Sequence, residues 1–221
     1  MKLDFIQIVP SIPFILEGII VTLKYLILSV IFGFILGVCA CLMRVSNSCL
    51  LRRLATGYTS LFRGTPLLVQ LMLVYYCTPQ LTGYTISAFE AGVVAFSLNS
   101  GAYISEIIRA GIQAVDAGQF EAVASLGISY TDGMKDIILP QAFKNILPAL
   151  INEMITLLKE SSLISVIGEM DLLRRANMVA AEKYIFFEPL IFIALIYYIL
   201  VLALSVLAQK VEVWMARSDR H

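Results

Sequence analysis

Residues 152–163 read NEMITLLKESSL, and Glu153, Lys159 and Glu160 interrupt a stretch otherwise apolar enough to enter a bilayer. A charge facing lipid near the bilayer centre costs on the order of 3 kcal/mol on insertion scales. Carboxylates placed there must look into protein or water. Glu153 and Glu160 stand within about 20° of each other on an α-helix and are separated by roughly 10 Å along its axis. Thr156 lies between them on the same face, while Ile151, Ile155 and Leu158 turn elsewhere. Lys159 projects about 100° from Glu160 and is no natural partner for it.

Other polar residues fall at a similar depth. Thr59, Arg63, Pro66 and Gln70 follow the steps of a single helical stripe. Ser97, Asn99, Ser100 and Tyr103 bring polar groups to the middle of a third apolar segment. At the helical rise, Gln70, Asn99 and Glu160 each lie about 18–21 Å from a membrane face, with Glu153 nearer the inner side. Two carboxylates with the amides of Gln70 and Asn99 can bind an ammonium and a cationic or amide group. The competing interpretation has the carboxylates neutralise cations within the chain, Arg63 reaching Glu153. Glu106 and Arg109 suit a structural pair or interfacial anchors.

The elements that must hold these groups are membrane helices. Hydrophobic residues make up 59% of the chain and charged residues only 14%, with a mean hydropathy of +0.86; soluble domains carry about 25% charged residues. Zero net charge gives no support for a nucleic-acid partner. A spanning helix needs about 20 mostly apolar residues, which gives five spans at about 18–43, 54–76, 86–109, 145–168 and 185–209. The chain thus reads as one all-α polytopic membrane bundle over 1–221 with an inner loop at about 110–144. Residues 11–17 are too short and polar to span and suit an interfacial helix.

An odd number of spans puts the termini on opposite sides. With the N-terminus outside, the inner segments carry Arg44, Arg52, Arg53, Arg109, Lys135, Lys144, Lys210, Arg217 and Arg220. The outer segments carry only Lys2, Arg174, Arg175 and Lys183, so the positive-inside rule favours this orientation. Cys39, Cys41, Cys49 and Cys77 form no C-x-x-C pair and read as apolar fillers. His221 is the single histidine, so the chain has no histidine metal site or His-based triad. Gly33-Phe-Ile-Leu-Gly37 permits close helix approach, within one chain or between two.

The inner loop has defined ends. Glu121–Leu126 favours helix, Gly127 suits the left-handed position after it, and Ser129 stands at capping-box spacing from Asp132. Pro140 is expected to close or kink the second helix. The result is a rigid elbow, suited to docking another protein. Glu121-Ala122, Gly127, Ile137, Leu139 and Pro140 fall at the spacings of the EAA motif, and the stretch resembles that of ABC-importer permeases, with Val123 in place of the second alanine. Arg63-Gly-Thr-Pro-Leu-Leu-Val-Gln70, Asn99-Ser-Gly-Ala-Tyr-Ile-Ser-Glu106 and Leu158-Lys-Glu-Ser-Ser-Leu163 resemble segments of the polar amino-acid branch.

This resemblance implies the type I ABC importer permease fold and an elbow that couples to a cytoplasmic ABC ATPase. It implies a second permease subunit, identical or not, and an extracytoplasmic amino-acid-binding protein, with Pro79, Gly83 and the Arg174-Arg175 pair as outer contacts. It also carries a substrate role onto Gln70, Asn99, Glu153 and Glu160, to which the residue reading adds Ser97 and Ser100. Glu160 stands where aspartate is common. No Gly-Lys dipeptide occurs, so no phosphate-cradling G-x-x-x-x-G-K-[ST] loop exists. The expectation is a chain that is not an enzyme and has no cofactor of its own, with ATP and Mg on the partner. An ion-coupled secondary transporter is the rival class, but it commonly shows an inverted repeat, and none is evident.

Overall fold

The computed structural model describes residues 4–218, and its regular elements are all helical. Lys2, Arg220 and His221 of the sequence reading lie outside that range. The central element is α6 (Ala88–Gln113). Its start is fixed by a reciprocal capping box, in which Ser87 Oγ accepts from the Glu90 amide at 3.2 Å and Glu90 Oε2 accepts from the Ser87 amide at 2.9 Å.

Helix α2 (Gly18–Val45) packs along α6. A Cβ on Gly33 would meet Ser100 at 3.0 Å, and one on Gly37 would meet Ile104 at 2.7 Å. The G-x-x-x-G pair therefore serves a seam inside one chain. The other flanks of α6 receive α3 (Cys49–Gly64) and α9 (Leu139–Glu160), and α11 (Phe187–Ser218) lies on α9. Tyr25, Leu71, Phe96, Leu157 and Leu158 meet in the main core, while Leu195, Tyr198, Ile199 and Leu202 leave one side of α11 exposed and apolar.

The second apolar segment is not one helix. Thr65 and Pro66 are extended and separate α3 from α4 (Leu67–Met72), which continues through a π turn into α5 (Thr78–Thr82). The helical stripe from Thr59 to Gln70 is therefore interrupted at Pro66. The fourth segment differs in the opposite sense: α8 (Tyr130–Gly133), a π turn at Met134–Ile138 and α9 form one continuous rod. Pro140 sits in the first turn of α9 and does not close the helix. Proline lacks an N–H but tolerates a first turn, and the wider preceding turn, with Leu139 N–H on Met134 O, carries the chain past it.

Among the described residues, three helical stretches are long and apolar enough to cross a membrane on composition alone: Phe5–Val45, Ala88–Gln113 and Phe187–Val213. The broken α3–α5 and the polar α9 fall short by that measure.

At the N-terminal end of the bundle, α1 (Ile12–Leu16) and the 3-10 turn Phe5–Ser11 pack on α10 (Leu172–Lys183), fully burying Ile15, Leu172 and Ala176. Arg175 secures this cap. It donates to Phe14 O at 2.9 Å, Met170 O at 3.1 Å and Glu17 Oε2 at 2.7 Å, with the Phe14 ring 4.7 Å away. Of the arginine pair assigned to outer contacts, only Arg174 stays exposed. Asp171 is fully buried and caps α10, accepting from the Arg174 amide at 2.9 Å. Burial pushes its carboxyl up to about 6, against an opposing pull from the backbone amides.

Candidate functional site

Helix α9 presents Glu153 and Glu160 half-buried, beside a more open strip of Asn152, Thr156 and Lys159. The polar sector is wider than the two carboxylates and Thr156 alone indicated. Among the described residues, neither Glu153 nor Glu160 has a cation within ion-pair distance. Arg63 lies 3.7 Å from Glu106 and 5.4 Å from the Tyr103 ring centroid. It is held there and not by Glu153.

Glu106 gathers guanidinium groups from three helices. Arg44 and Arg63 reach it from α2 and α3, and Arg109 binds it through Nε at 2.9 Å and Nη2 at 2.6 Å. The Glu106–Arg109 pair read from the sequence is thus part of a larger knot. Sequence spacing could show that pair because it lies within one helix turn. Arg44 and Arg63 are brought to it only by tertiary packing.

Glu153 borders a cleft of about 350 Å³ between α2, α6 and α9, whose walls include Ile31, Ile104, Leu150 and Met154. Ser100 lines the same cleft. The Ser97 hydroxyl is buried and makes no hydrogen bond among the described residues, while the Ser100 hydroxyl is buried beside the Glu153 carboxylate. Gln70 and Asn99 lie elsewhere in the arrangement, buried and bonded to each other, with Asn99 Nδ2 donating to Gln70 Oε1 at 3.0 Å. Their remaining donors go to the backbone around Pro66.

The elbow follows its local signals closely. Asp116 caps α7 (Ala117–Ser125) through the Gly118 amide. Gly127 has φ +68°, and Ile128 N–H returns to Val123 O at 3.1 Å, a Schellman closure. Ser129 Oγ accepts from the Asp132 amide at 3.2 Å, but Asp132 returns to the Ser129 hydroxyl at 2.6 Å, so the capping box is modified. Glu121, Ala122, Gly127, Leu139 and Pro140 are exposed, and Ile137 is half-buried. Val123 is buried on Gly133, where an added Cβ would stand 2.3 Å from Val123 Cγ1. The substitution for alanine is accommodated by a glycine ten residues on, a pairing that no local spacing reveals.

A helical membrane bundle with unpaired carboxylates inside it and an exposed elbow at one end defines a membrane transport subunit. Comparison with known proteins narrows the class: the chain belongs to the family described as binding-protein-dependent transport system inner membrane component, whose sequence model matches residues 29–217. It is 54% identical over 212 residues to the arginine transport system permease protein ArtQ of Bacillus subtilis, covering 96% of this chain and 97% of the relative. It is 53% identical over 207 residues to a putative glutamine transport system permease protein GlnP of Rickettsia felis, covering 94% and 95%.

Among solved structures, a chain of an amino acid ABC transporter crystallised with histidines superposes with a TM-score of 0.92 at 47% identity, over 96% of this chain and 99% of that one. The MetNI methionine ABC transporter shares the fold, with a TM-score of 0.73 at 20% identity, over 92% and 98%. The protein is a permease subunit of an amino-acid ABC importer with the type I permease fold. It is not an enzyme; ATP hydrolysis belongs to a separate subunit of such importers. The family also implies an ATPase, a binding protein and a second permease as partners.

Proposed function

We propose that this chain forms the translocation path and mid-membrane site for a cationic amino acid, arginine or histidine. The observation that carries this reading is the pair Glu153 and Glu160, turned to the polar side of α9 without a cationic partner among the described residues. A guanidinium or ammonium in transit would complete such a pair, since charge-assisted hydrogen bonds are about twice as strong as neutral ones. Ser97 and Ser100 offer hydroxyls on the adjoining helix. Glutamine is the neutral rival, favoured by the relatives named for it.

In this reading the chain crosses the membrane five times as one permease domain, with the N-terminus outside and the C-terminus in the cytoplasm. The broken α3–α5 and the polar α9 face the path and not lipid. Glu121, Ala122, Gly127, Ile137, Leu139 and Pro140 form the surface that couples to the ATPase. The second permease subunit completes the enclosure, and the binding protein delivers solute at the outer loops. ATP and Mg remain on the ATPase, and this chain holds no cofactor.

The test is uptake by the reconstituted importer carrying Glu153→Gln. Arginine uptake falls at least tenfold while glutamine uptake, where present, falls less. Unchanged arginine transport with unchanged competition by lysine would refute the proposal.

A further inference from the structure

The break in the second apolar segment creates a problem of hydrogen bonding that the structure solves with side chains. In an uninterrupted helix, Phe62 O would accept from the amide of residue 66. Pro66 has no N–H to give. A carbonyl left without a donor at membrane depth is costly, so irregular backbone survives there only where protein or water satisfies it.

Gln70 Nε2 donates to Phe62 O at 2.8 Å, and Asn99 Nδ2 donates to the same oxygen at 3.1 Å. Gln70 Nε2 also meets Thr65 O at 3.0 Å and Thr65 Oγ1 at 2.8 Å. Thr65 Oγ1 in turn donates to Leu61 O at 2.8 Å. Each terminal amide has two hydrogens. Three acceptors surround that of Gln70, and Asn99 divides its own between Phe62 O and Gln70 Oε1. No N–H of either residue remains to grip a solute. Both side chains are also buried, at 7% and 5% exposure.

We infer that Gln70 and Asn99 are positioning residues, which replace the N–H missing at Pro66 and so fix the bend between α3 and α4 beside the solute site. The site lies within reach of the bend: Leu67 and Leu71 of α4 share a buried cluster with Leu157 and Leu158 of α9, the turn that leads into Glu160. The assignment builds on the amino-acid site proposed above and leaves the solute no N–H of Gln70 or Asn99, only the carbonyl oxygens of their amides.

The experiment uses the assembled importer in proteoliposomes with its binding protein, and reads amino-acid-stimulated ATP hydrolysis for arginine, histidine and glutamine. Gln70→Leu removes both backbone donors. Its KM rises by about the same factor, tenfold or more, for every amino acid the wild type accepts, and their ranking is preserved. Asn99→Ser removes the bond to Gln70 Oε1 but leaves the Gln70 Nε2 bonds to Phe62 and Thr65 in place, and gives the same uniform rise at two- to threefold; it is read whether or not Gln70→Leu folds. A changed ranking in either variant would make the residue a direct ligand and overturn the inference. An unchanged KM with only less folded protein or lower maximal rate would make it a stability residue and overturn it equally. Wild-type hydrolysis that no amino acid stimulates strikes the proposed function instead. The bracing itself is then read by hydrogen exchange, with faster exchange over residues 67–72 in Gln70→Leu than in wild type; unchanged exchange overturns it.

Discussion

The two ends of the bundle are built from similar parts to opposite effect. Each carries short helices with defined caps, but the cap that α1 and α10 form is closed on itself and the elbow of α7 and α8 is left open. Arg175 ties three segments together in the cap, and Asp4 N–H reaches Glu188 Oε1 at 3.0 Å to join the start of the described chain to α11. In the elbow, Leu126 and Tyr130 are 75% and 76% exposed, and α7 is seated on α8 chiefly by Val123. An element that closes on itself serves as an anchor. One that keeps large apolar side chains in water has a surface fit for a partner.

The comparison breaks first at Arg175. Arg175→Ala removes hydrogen bonds to Phe14 O, Met170 O and Glu17 together with a ring contact, and charged hydrogen bonds contribute about 1.5–3 kcal/mol each. The variant melts well below wild type in detergent, by 5 °C or more, but still co-purifies with the ATPase. An equal loss of ATPase binding would show that the two ends are not independent.

In the elbow, Gly133→Ala puts a methyl group into Val123 without straining the backbone, since φ is −59° there. Overpacking of this kind costs about 1–3 kcal/mol. Uptake falls severalfold with little change in melting, and Val123→Ala in the same chain restores at least half of it. Failure of the second change to rescue would show that the contact does not set the elbow.

Asp171 supplies a pH dependence confined to the cap around α10. Its carboxyl is raised from 3.8 to about 6 in the folded protein. A raised carboxyl favours the folded state at low pH, an advantage full below about 4 and lost as pH rises through 6. Asp171→Asn keeps an oxygen to cap α10 and removes the buried charge. It raises the melting temperature at pH 7.5 by a few degrees and flattens its variation between pH 4 and 7. A variant less stable than wild type at pH 7.5 contradicts the assignment. The smallest effect belongs to Gly127→Ala, where no atom lies within 4 Å and only the positive φ opposes a side chain. That conformation costs about 1–2 kcal/mol, read as a slight fall in ATPase retention without change in solute ranking.

What the sequence revealed follows the range of the forces involved. The elbow was legible because caps and left-handed closures involve residues within a few positions: Asp116, Gly127 and Ser129 each act on close neighbours. The carboxylates of α9 were legible because bilayer cost makes any such charge conspicuous. Pro66 was visible, yet the stripe through it was read as continuous, because helices in membranes do tolerate proline when other groups satisfy the backbone. Those groups, Gln70 and Asn99, stand out for their polarity, but the bonds that tie them to Phe62 and Thr65 form only in the folded chain. The Glu106 knot and the Val123–Gly133 contact stayed hidden, since both join elements that only the folded chain brings together.

The seam between α2 and α6 also decides where the molecule can be labelled. With no room for a methyl group at Gly33 or Gly37, a cysteine or fluorophore on that side would pry the helices apart. Ile20 and Ile27 project from α2 with more than half of their surface uncovered and, unlike Ile31 and Ile35, do not line the cleft at Glu153, giving two rungs for attachment along that helix. Probes on those rungs would report tilting of the bundle during transport without touching the packing that holds it together.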